Sequence, residues 1–464
     1  MEEGIRMVHV YSMNGINVAV DGNSGSINIL DDVAFEMLTY FKSPFSYEQA
    51  FEKMKEKYSE QCIKETYEEI NMLIEDGSLF SSELNSSDIL PKLNKYNGIK
   101  ALCLHVAHDC NLMCEYCFAS KGNYKVEKNL MPFEVACKAV DFLVNNSGKR
   151  KNVEIDFFGG EPLLNFDVVR KTVEYGRKVQ NSTGKEIHFT ITTNGVLLDE
   201  EKINYINDNM DNVVISLDGR KEVHDAIRYD AAGNGTYDRI LDNALKLVRK
   251  REGKSYFIRG TFTSGNLDFS KDVFHIADLG FNEISVEPVV GKGEKFHIYK
   301  ENLPVVLAEY EKLACEYIER MKKGKQFRFY HFNINLYNGP CLYKRITSCG
   351  AGTEYFAVTP EGDLYPCHQF VGQAEFKMGN IHSGIENLAL EKRFGEADIF
   401  TKEECRNCWA KLYCSGGCHA NSYYSNGDIL KPDETVCEMQ KKRIECAIMI
   451  EACKMLEIED LKNK

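Results

Sequence analysis

Residues 103–120 read CLHVAHDCNLMCEYCFAS, and the placing of Cys110, Cys114 and Cys117 in that stretch governs the reading of the whole chain. The spacing is C-x3-C-x2-C, directly after KALCLHV, an apolar run of the length and composition of a buried strand. Three thiolates on one short loop suit three irons of a cubane and leave the fourth iron without a protein ligand. Such an iron can bind and activate a small molecule, whereas a structural site with four protein ligands has no open position. The competing reading is a zinc knuckle that borrows a nearby histidine such as His108.

Strand and helix signals then alternate. The strand candidates are KALCLHV, VEIDFF, IHFTITT, NVVISL, YFIRGTF and EISVEP, with helical stretches after Pro132, Phe166, Asp199, Tyr237, Phe269 and Leu303. Six such units joined by right-handed crossovers predict an α/β fold, a partial (β/α)6 TIM-like barrel over residues 99–325. In such folds the chemistry sits at the C-terminal ends of the strands. Those ends carry Gly159-Gly160-Glu161-Pro162, Thr193-Asn194, Ser216-Leu217-Asp218-Gly219 with His224-Asp225-x-x-Arg228 behind it, and Glu287-Pro288.

The chain has 464 residues and 17 cysteines, an odd number that excludes complete disulfide pairing within the chain. MEEGIRMVHV shows no export signal, so a cytoplasmic setting with reduced thiols is expected. Residues 326–464 form a cysteine-rich module. Cys341 and Cys349 lead to Cys367, then the run Cys405-x2-Cys408-x5-Cys414-x3-Cys418, then Cys437. One strand-turn-strand stands out there, EYFAVTPEGDLYPC, and the apolar content is thin enough that metal crosslinks are expected to substitute for packing. Cys437 to Leu461 is expected to be an amphipathic helix. Cys62, Cys103, Cys137, Cys315, Cys446 and Cys453 fall at apolar, periodic positions and read as core thiols. His105, His368 and His419 flank the clustered cysteines and read as contacts behind the ligands. The pattern singles out no general base.

Residues 1–83 differ in kind. RMVHVYS, INVAVD and SINIL predict an antiparallel meander, followed by three helical stretches. Ser46 and Gln49 predict a capping box, Asp76-Gly77 a helix end, and SLF a further strand. This is a winged-helix-like α+β layout, joined to the barrel by a polar linker over 84–98. The chain carries a net charge of −13, and residues 1–98, with 17 acidic and 8 basic side chains, hold −9 of it. That balance excludes a general nucleic-acid binder and directs the N-terminal module toward protein or peptide. No apolar run has the length to span a membrane.

C-x3-C-x-Φ-C, with Tyr116 as the aromatic, is similar to the signature of the radical S-adenosylmethionine (SAM) enzymes, and the strand-end motifs follow in that superfamily's order. The resemblance implies a [4Fe–4S] cluster on Cys110, Cys114 and Cys117 that binds SAM, splits it reductively and delivers a 5′-deoxyadenosyl radical. It implies SAM contacts from Tyr116 and Phe118, from Gly159, Gly160 and Glu161, from Thr193 and Asn194, from Ser216, Asp218 and Arg228, and from Glu287. The later cysteine run resembles the SPASM extension, which holds two auxiliary [4Fe–4S] clusters, making three in all. By that pattern Cys405, Cys408, Cys414 and Cys437 hold one cluster. Cys349, Cys367 and Cys418 hold the other, with Cys341 either its fourth ligand or a residue that leaves an iron open to a substrate thiolate.

HVAHDCNLMCEYCFAS and the N-terminal module together resemble the thioether-forming maturases of six-cysteine (SCIFF) peptides, of the CteB type. This implies a leader-peptide recognition domain at 1–83 that binds a cysteine-rich precursor by β-augmentation, at the sheet edge around 16–30 and the helix 63–76. It implies a Cys sulfur to α-carbon (sactionine) crosslink as product and an electron donor such as flavodoxin or ferredoxin. Two alternatives stay open: an anaerobic sulfatase-maturing, formylglycine-generating enzyme, and a non-catalytic zinc scaffold.

Overall fold

The computed structural model describes residues 7–90, 98–290, 295–334 and 342–462. Three strands, β1 (Val8–Met13), β2 (Ile16–Asp21) and β3 (Ile27–Leu30), form an antiparallel sheet in the order β1-β2-β3. Val10 faces Ala19 across one pair and Val18 faces Ile29 across the other. Helices Asp32–Tyr40, Tyr47–Met54 and Glu60–Glu75 follow. Ser46 caps the second of these: its side chain accepts from the Gln49 N–H while the Gln49 side chain takes the Ser46 N–H, a reciprocal pair that satisfies two orphan donors.

The strand expected at Ser78–Phe80 is an irregular bend instead. Phe80 has φ +49 and is buried near Phe45, and the next N–H, that of Ser81, goes to Asp21 Oδ2 at 2.9 Å. Asp21 is fully buried and also accepts from the N–H groups of Asn23 and Ser24. A carboxylate thus takes the backbone donor that a neighbouring strand would have taken.

The small sheet is covered on both faces, because alternate residues of a strand point to opposite sides. Ala19 joins Met37, Leu38 and Ile70 of the helices, whereas Val18 and Val20 join Ala410, Ile444 and Ile448 from the C-terminal module. Val18, Val20 and Ile448 are fully buried, and each stabilises the folded state by at most about 1.5–3 kcal/mol. The turn after β2 lies directly on the cysteine loop. Lys411 Nζ donates to Asn23 Oδ1 at 2.8 Å and Tyr413 Oη to the Gly25 carbonyl at 2.5 Å. His9 stacks on Trp409, with ring centroids 4.1 Å apart.

The large sheet has, among the described residues, eleven strands. Its centre is β4 (Ala101–Ala107), β5 (Asn152–Gly159), β6 (Glu186–Thr193), β7 (Asn212–Ser216), β8 (Ser255–Phe262) and β9 (Glu283–Pro288), all parallel, each beside its predecessor. This is the partial barrel expected from the alternation of signals. The helices begin where expected too, at Phe133, Phe166, Glu200, Tyr237, Ser270 and Leu303. β10 (Arg328–Phe329) adds to β9. At the other edge β11 (Tyr355–Val358) pairs parallel with β4, and β12 (Asp363–Tyr365), β13 (Gly379–Asn380) and β14 (Gly384–Ile385) continue antiparallel.

Two further expectations are corrected. The cysteine-rich module is not thinly packed, since Leu364, Phe370, Phe376 and Phe394 belong to the same apolar core as Ile155 and Phe157 of the barrel. The C-terminal helix, Glu434–Lys462, is not amphipathic along its middle: residues 443–450 are buried in succession. A stretch buried on every side, here including Arg443 and Glu445, belongs to an interior helix, and this one packs on helix Leu303–Lys322 and contacts β2. Among the described residues no helix is long and apolar enough to cross a membrane.

The docking of the small sheet depends on Gly22, where an added Cβ would stand 2.7 Å from Trp409 Cα. Gly22→Ala is expected to cost about 1–3 kcal/mol by overpacking. Denaturant unfolding checks this, and an unchanged midpoint would contradict the packing described.

Candidate active site

The loop after β4 is built by close backbone approach. The Gly160 N–H donates to the Ala107 carbonyl at 2.8 Å and the Glu161 N–H to the Asp109 carbonyl at 2.9 Å. A Cβ on Gly159, which has φ +121, would lie 2.3 Å from the Ala107 oxygen, and one on Gly160 would lie 2.1 Å from the Asp109 oxygen. Only glycine fits either place. Tyr124 clamps the loop from the far side: its buried hydroxyl donates to the Gly159 carbonyl at 3.0 Å, and its ring packs on His105 and His108. Ser120, Lys121, Tyr124 and Lys125 all have positive φ. Strain of this kind persists only where surrounding structure over-determines it, and it gathers at functional sites.

Glu161 turns into the protein. Fully buried, it accepts from Thr193 Oγ1 (2.7 Å), the Asn194 N–H (2.8 Å) and the Leu163 N–H (3.0 Å). Burial pushes its carboxyl up to about 7 against these bonds. Glu161 therefore ties the end of β5 to that of β6. Asn194 carries the tie to the cysteine loop, with Nδ2 2.8 Å from Asn111 Oδ1 and 3.7 Å from Cys110 Sγ.

Tyr116 and Asp218 likewise engage each other. The phenol donates to Asp218 (2.7 Å to the nearer oxygen) and accepts from Arg228 Nη1 at 2.7 Å, with Arg228 and Asp218 3.7 Å apart. Arg228 is buried, and its Nε has no hydrogen-bond partner among the described residues.

A cavity opens over this floor. Cys110, Cys114, Cys117, Phe118, Gly159, Gly160, Thr193, Asn194, Ser216, Arg228 and Glu287 line it, whereas Glu161 and Asp218 stand behind its wall. A second cavity shares Cys117, Phe118, Val289, Val290 and Gln369 with it and continues to His297, Gln373 and Tyr424. The three thiols of the loop act electrostatically on one another. Burial, with Glu161 adding to it, raises Cys110 to about 12; burial also raises Cys114, where the Arg228 cation opposes it. Cys110 and Cys114 held this way need a metal to deprotonate them, and a buried guanidinium with a spare donor suits an anionic assembly. The donor set fits a three-cysteine cubane with a carboxylate-bearing ligand nearby. Among the described residues no three His, Cys, Asp or Glu side chains converge on a single ion. His108 spends its Nε2 on His105 Nδ1 at 3.2 Å, not on the cysteines.

A charged group at the ends of β8 and β9 escaped the sequence reading. Arg259 pairs with Glu287 at 3.3 Å, His331 lies 4.0 Å from Glu287, and Arg443 meets His331 Nδ1 at 3.0 Å. Burial opposes ionisation of Glu287, but Arg259, His331 and Arg443 outweigh it and hold the carboxyl down at about 2. His331 is pushed to about 3 and His368 to about 4, by burial first and then by Arg443 and Arg259 respectively. Arginines from β8 and from a helix some 180 residues on converge only in the fold; no local motif marks them.

The later cysteines fall into two groups. Cys405, Cys408, Cys414 and Cys437 act on one another, as do Cys349, Cys367 and Cys418. Cys341 lies outside the described residues. Cys367 precedes His368 and Gln369 of the first cavity wall, and His368 packs on Phe118 and Phe158. Of the six remaining cysteines, Cys103 and Cys446 are buried, and Cys62, Cys137, Cys315 and Cys453 are half-buried.

The family model of the radical SAM superfamily matches residues 104–263, and that of SPASM, an iron-sulfur cluster-binding domain, matches 349–409. The chain thus carries a radical SAM domain and a SPASM domain. It is 28% identical to a cysteine-type anaerobic sulfatase-maturating enzyme of Clostridium novyi, over 75% of this chain and 95% of that one. It is 23% identical to the radical SAM cyclopropyl synthase TigE of Paramaledivibacter caminithermalis, over 74% and 72%. In fold it is similar to native anSMEcpe with bound AdoMet and Cp18Cys peptide, at 24% identity and a TM-score of 0.65 over 78% of this chain and 99% of that one. It is also similar to Streptococcus suis SuiB bound to S-adenosylmethionine, at 16% identity and 0.52 over 94% and 99%.

Gly160→Ala is expected to remove the iron held at 110–117 together with SAM binding, read as iron per chain and SAM retention; wild-type values for both would contradict the packing. Tyr116→Phe leaves Asp218 short of a donor and is expected to cost about 1–3 kcal/mol, read by anaerobic unfolding.

Proposed function

We propose that this chain, with its radical SAM and SPASM domains, is a maturase that joins a Cys sulfur to the α-carbon of another residue in a ribosomally made, cysteine-rich precursor peptide. Forming that thioether passes the α-hydrogen to the 5′-deoxyadenosyl radical, releases the thiol proton and leaves one electron, which an auxiliary [4Fe–4S] cluster would accept. With a [4Fe–4S] cluster on Cys110, Cys114 and Cys117 and SAM on its open iron, reductive cleavage would supply the radical that removes an unactivated hydrogen.

The chain's own residues divide the remaining work. Gly159 and Gly160 give the cofactor a bare backbone, Arg228 offers a cation for its carboxylate, and Thr193, Asn194, Ser216 and Glu287 line its cavity. Phe118, Val289 and Val290 give apolar walls shared by the two cavities. The second cavity is the path for the peptide. Its Gln369 and Tyr424 stand beside Cys367 of the three-cysteine group, so an incoming peptide thiol approaches that group. Two auxiliary clusters, on Cys349–Cys367–Cys418 and on Cys405–Cys408–Cys414–Cys437, complete the cofactor set, with a flavodoxin or ferredoxin as electron source.

The observation that carries the peptide reading is the N-terminal domain. β3 ends its sheet, and among the described residues its outer edge has no strand partner. An extended leader can add a strand there. Ile29 is 40% exposed on β3 and Met72 is 68% exposed on helix Glu60–Glu75, side chains available to a docked segment. The sulfatase-maturating relative aligns over nearly all of its own length yet leaves a quarter of this chain unmatched. SuiB aligns in fold over 92% of this chain in the form bound to precursor peptide SuiA. The second reading, formylglycine formation on a sulfatase peptide, is favoured by the 28% identity to that relative.

Anaerobic incubation of reconstituted enzyme with SAM, a reductant and a leader-bearing cysteine-rich peptide separates them. The expected product is the peptide short of two hydrogens per crosslink, with 5′-deoxyadenosine formed. A peptide aldehyde would establish the second reading, and deoxyadenosine with an unchanged peptide would point to another substrate. Ile29→Asp and Met72→Asp are each expected to weaken leader binding about tenfold, roughly 1.4 kcal/mol, by fluorescence anisotropy.

A further inference from the structure

Lys402 is buried between the two groups of auxiliary cysteines. Only 1% of it is exposed, and it is among the largest fully buried side chains of the protein. Its Nζ donates to the Gly416 carbonyl at 2.7 Å and lies 3.3 Å from His419 Nδ1. Gly416 is the middle of a left-handed run, with Ser415 at φ +60, itself at +81 and Gly417 at +71. That run lets Cys414 join one cysteine group and Cys418, four residues on, join the other. Lys402 thus pins the peptide at which the chain crosses between the groups.

A buried ammonium costs several kcal/mol unless a negative charge compensates it. Among the described ion pairs no carboxylate pairs with Lys402, and its Nζ is met by the Gly416 carbonyl and His419 Nδ1. Burial draws Lys402 below the ordinary lysine range, and the charges that oppose it are those of Cys405 and Cys414 of one set and Cys418 and Cys349 of the other. Three or four thiolates around a [4Fe–4S] core carry net negative charge, and an added electron deepens it. We infer that Lys402 is the shared counter-cation of both auxiliary cluster sites, a positioning residue that favours the reduced state of each and sets their two reduction potentials together.

The inference rests on the reading that both groups hold clusters, and the test keeps the two apart. Wild type, Lys402→Gln and Lys402→Arg are reconstituted anaerobically, their iron is counted, and their clusters are titrated potentiometrically under electron paramagnetic resonance. Gln keeps a donor for the Gly416 carbonyl but no charge; Arg keeps both. In Lys402→Gln the reduction equilibrium of both auxiliary clusters is expected to fall at least tenfold, 59 mV for one electron. The cluster at 110–117 stays unmoved and Lys402→Arg matches wild type. Unchanged potentials in Lys402→Gln, or a shift of one auxiliary cluster alone, would overturn the inference. If Lys402→Gln takes up no auxiliary iron, Lys402→Arg decides: wild-type potentials support the shared cation and displaced ones overturn it. Wild-type protein without iron in these groups would defeat the cluster reading itself, and this inference with it.

Discussion

The contact on which the site depends is between backbones. Gly159 and Gly160 lie against Ala107 and Asp109, with two N–H···O bonds across the join and no room for a side chain on either glycine. This joins the end of β5 to the start of the cysteine loop. Glu161 extends the join to β6 through Thr193 and Asn194, and Asn194 returns to the loop through Asn111. Tyr116, Asp218 and Arg228 close it from β7. Three cysteines a few residues apart could adopt many arrangements on a free loop; here three neighbouring strands leave few. Preorganisation of this kind lets a cofactor's reactive atom be placed without ordering the loop afresh at each turnover.

The same economy shows in the C-terminal half. β11 joins the barrel sheet at β4, so the loop carrying Cys367 stands beside the first cavity. The long final helix is interior, wedged between a barrel helix and the N-terminal sheet, and it delivers both Cys437 and Arg443. Arg443 acts on Cys414 as well as on His331 and Glu287, so one buried cation lies between the cavity wall and the four-cysteine group. The N-terminal domain rests on Trp409, Lys411 and Tyr413, between Cys408 and Cys414. A peptide held on the edge of that domain would sit on a body continuous with the auxiliary site.

Much of this was readable in the chain. The parallel strands announced themselves as apolar runs and their helices began at the expected residues, because period and end signals are local. The glycines at 159 and 160 were expected beside the ligand, and they do line the cavity, but the backbones of Ala107 and Asp109 that leave them no side chain lie some fifty residues earlier. The physical reason for each miss is distance along the chain. Glu161 and Asp218 were expected at the ligand; in the fold they bind Thr193 and Tyr116, partners more than thirty and a hundred residues away. The Ser78–Phe80 strand was lost to a buried carboxylate sixty residues earlier. The last helix shows an ordinary mixture of residues, and its burial follows from two neighbours that no window of sequence contains. Arg259, His331 and Arg443 are scattered singly and meet only at the strand ends.

The most direct measurement of the central claim is electron paramagnetic resonance of the reduced, anaerobically reconstituted protein with and without SAM. A cluster held by Cys110, Cys114 and Cys117 alone should change its spectrum when SAM is added, and that response should vanish in Cys114→Ala. A spectrum indifferent to SAM, or a loop that binds one zinc ion and no iron, would contradict the account.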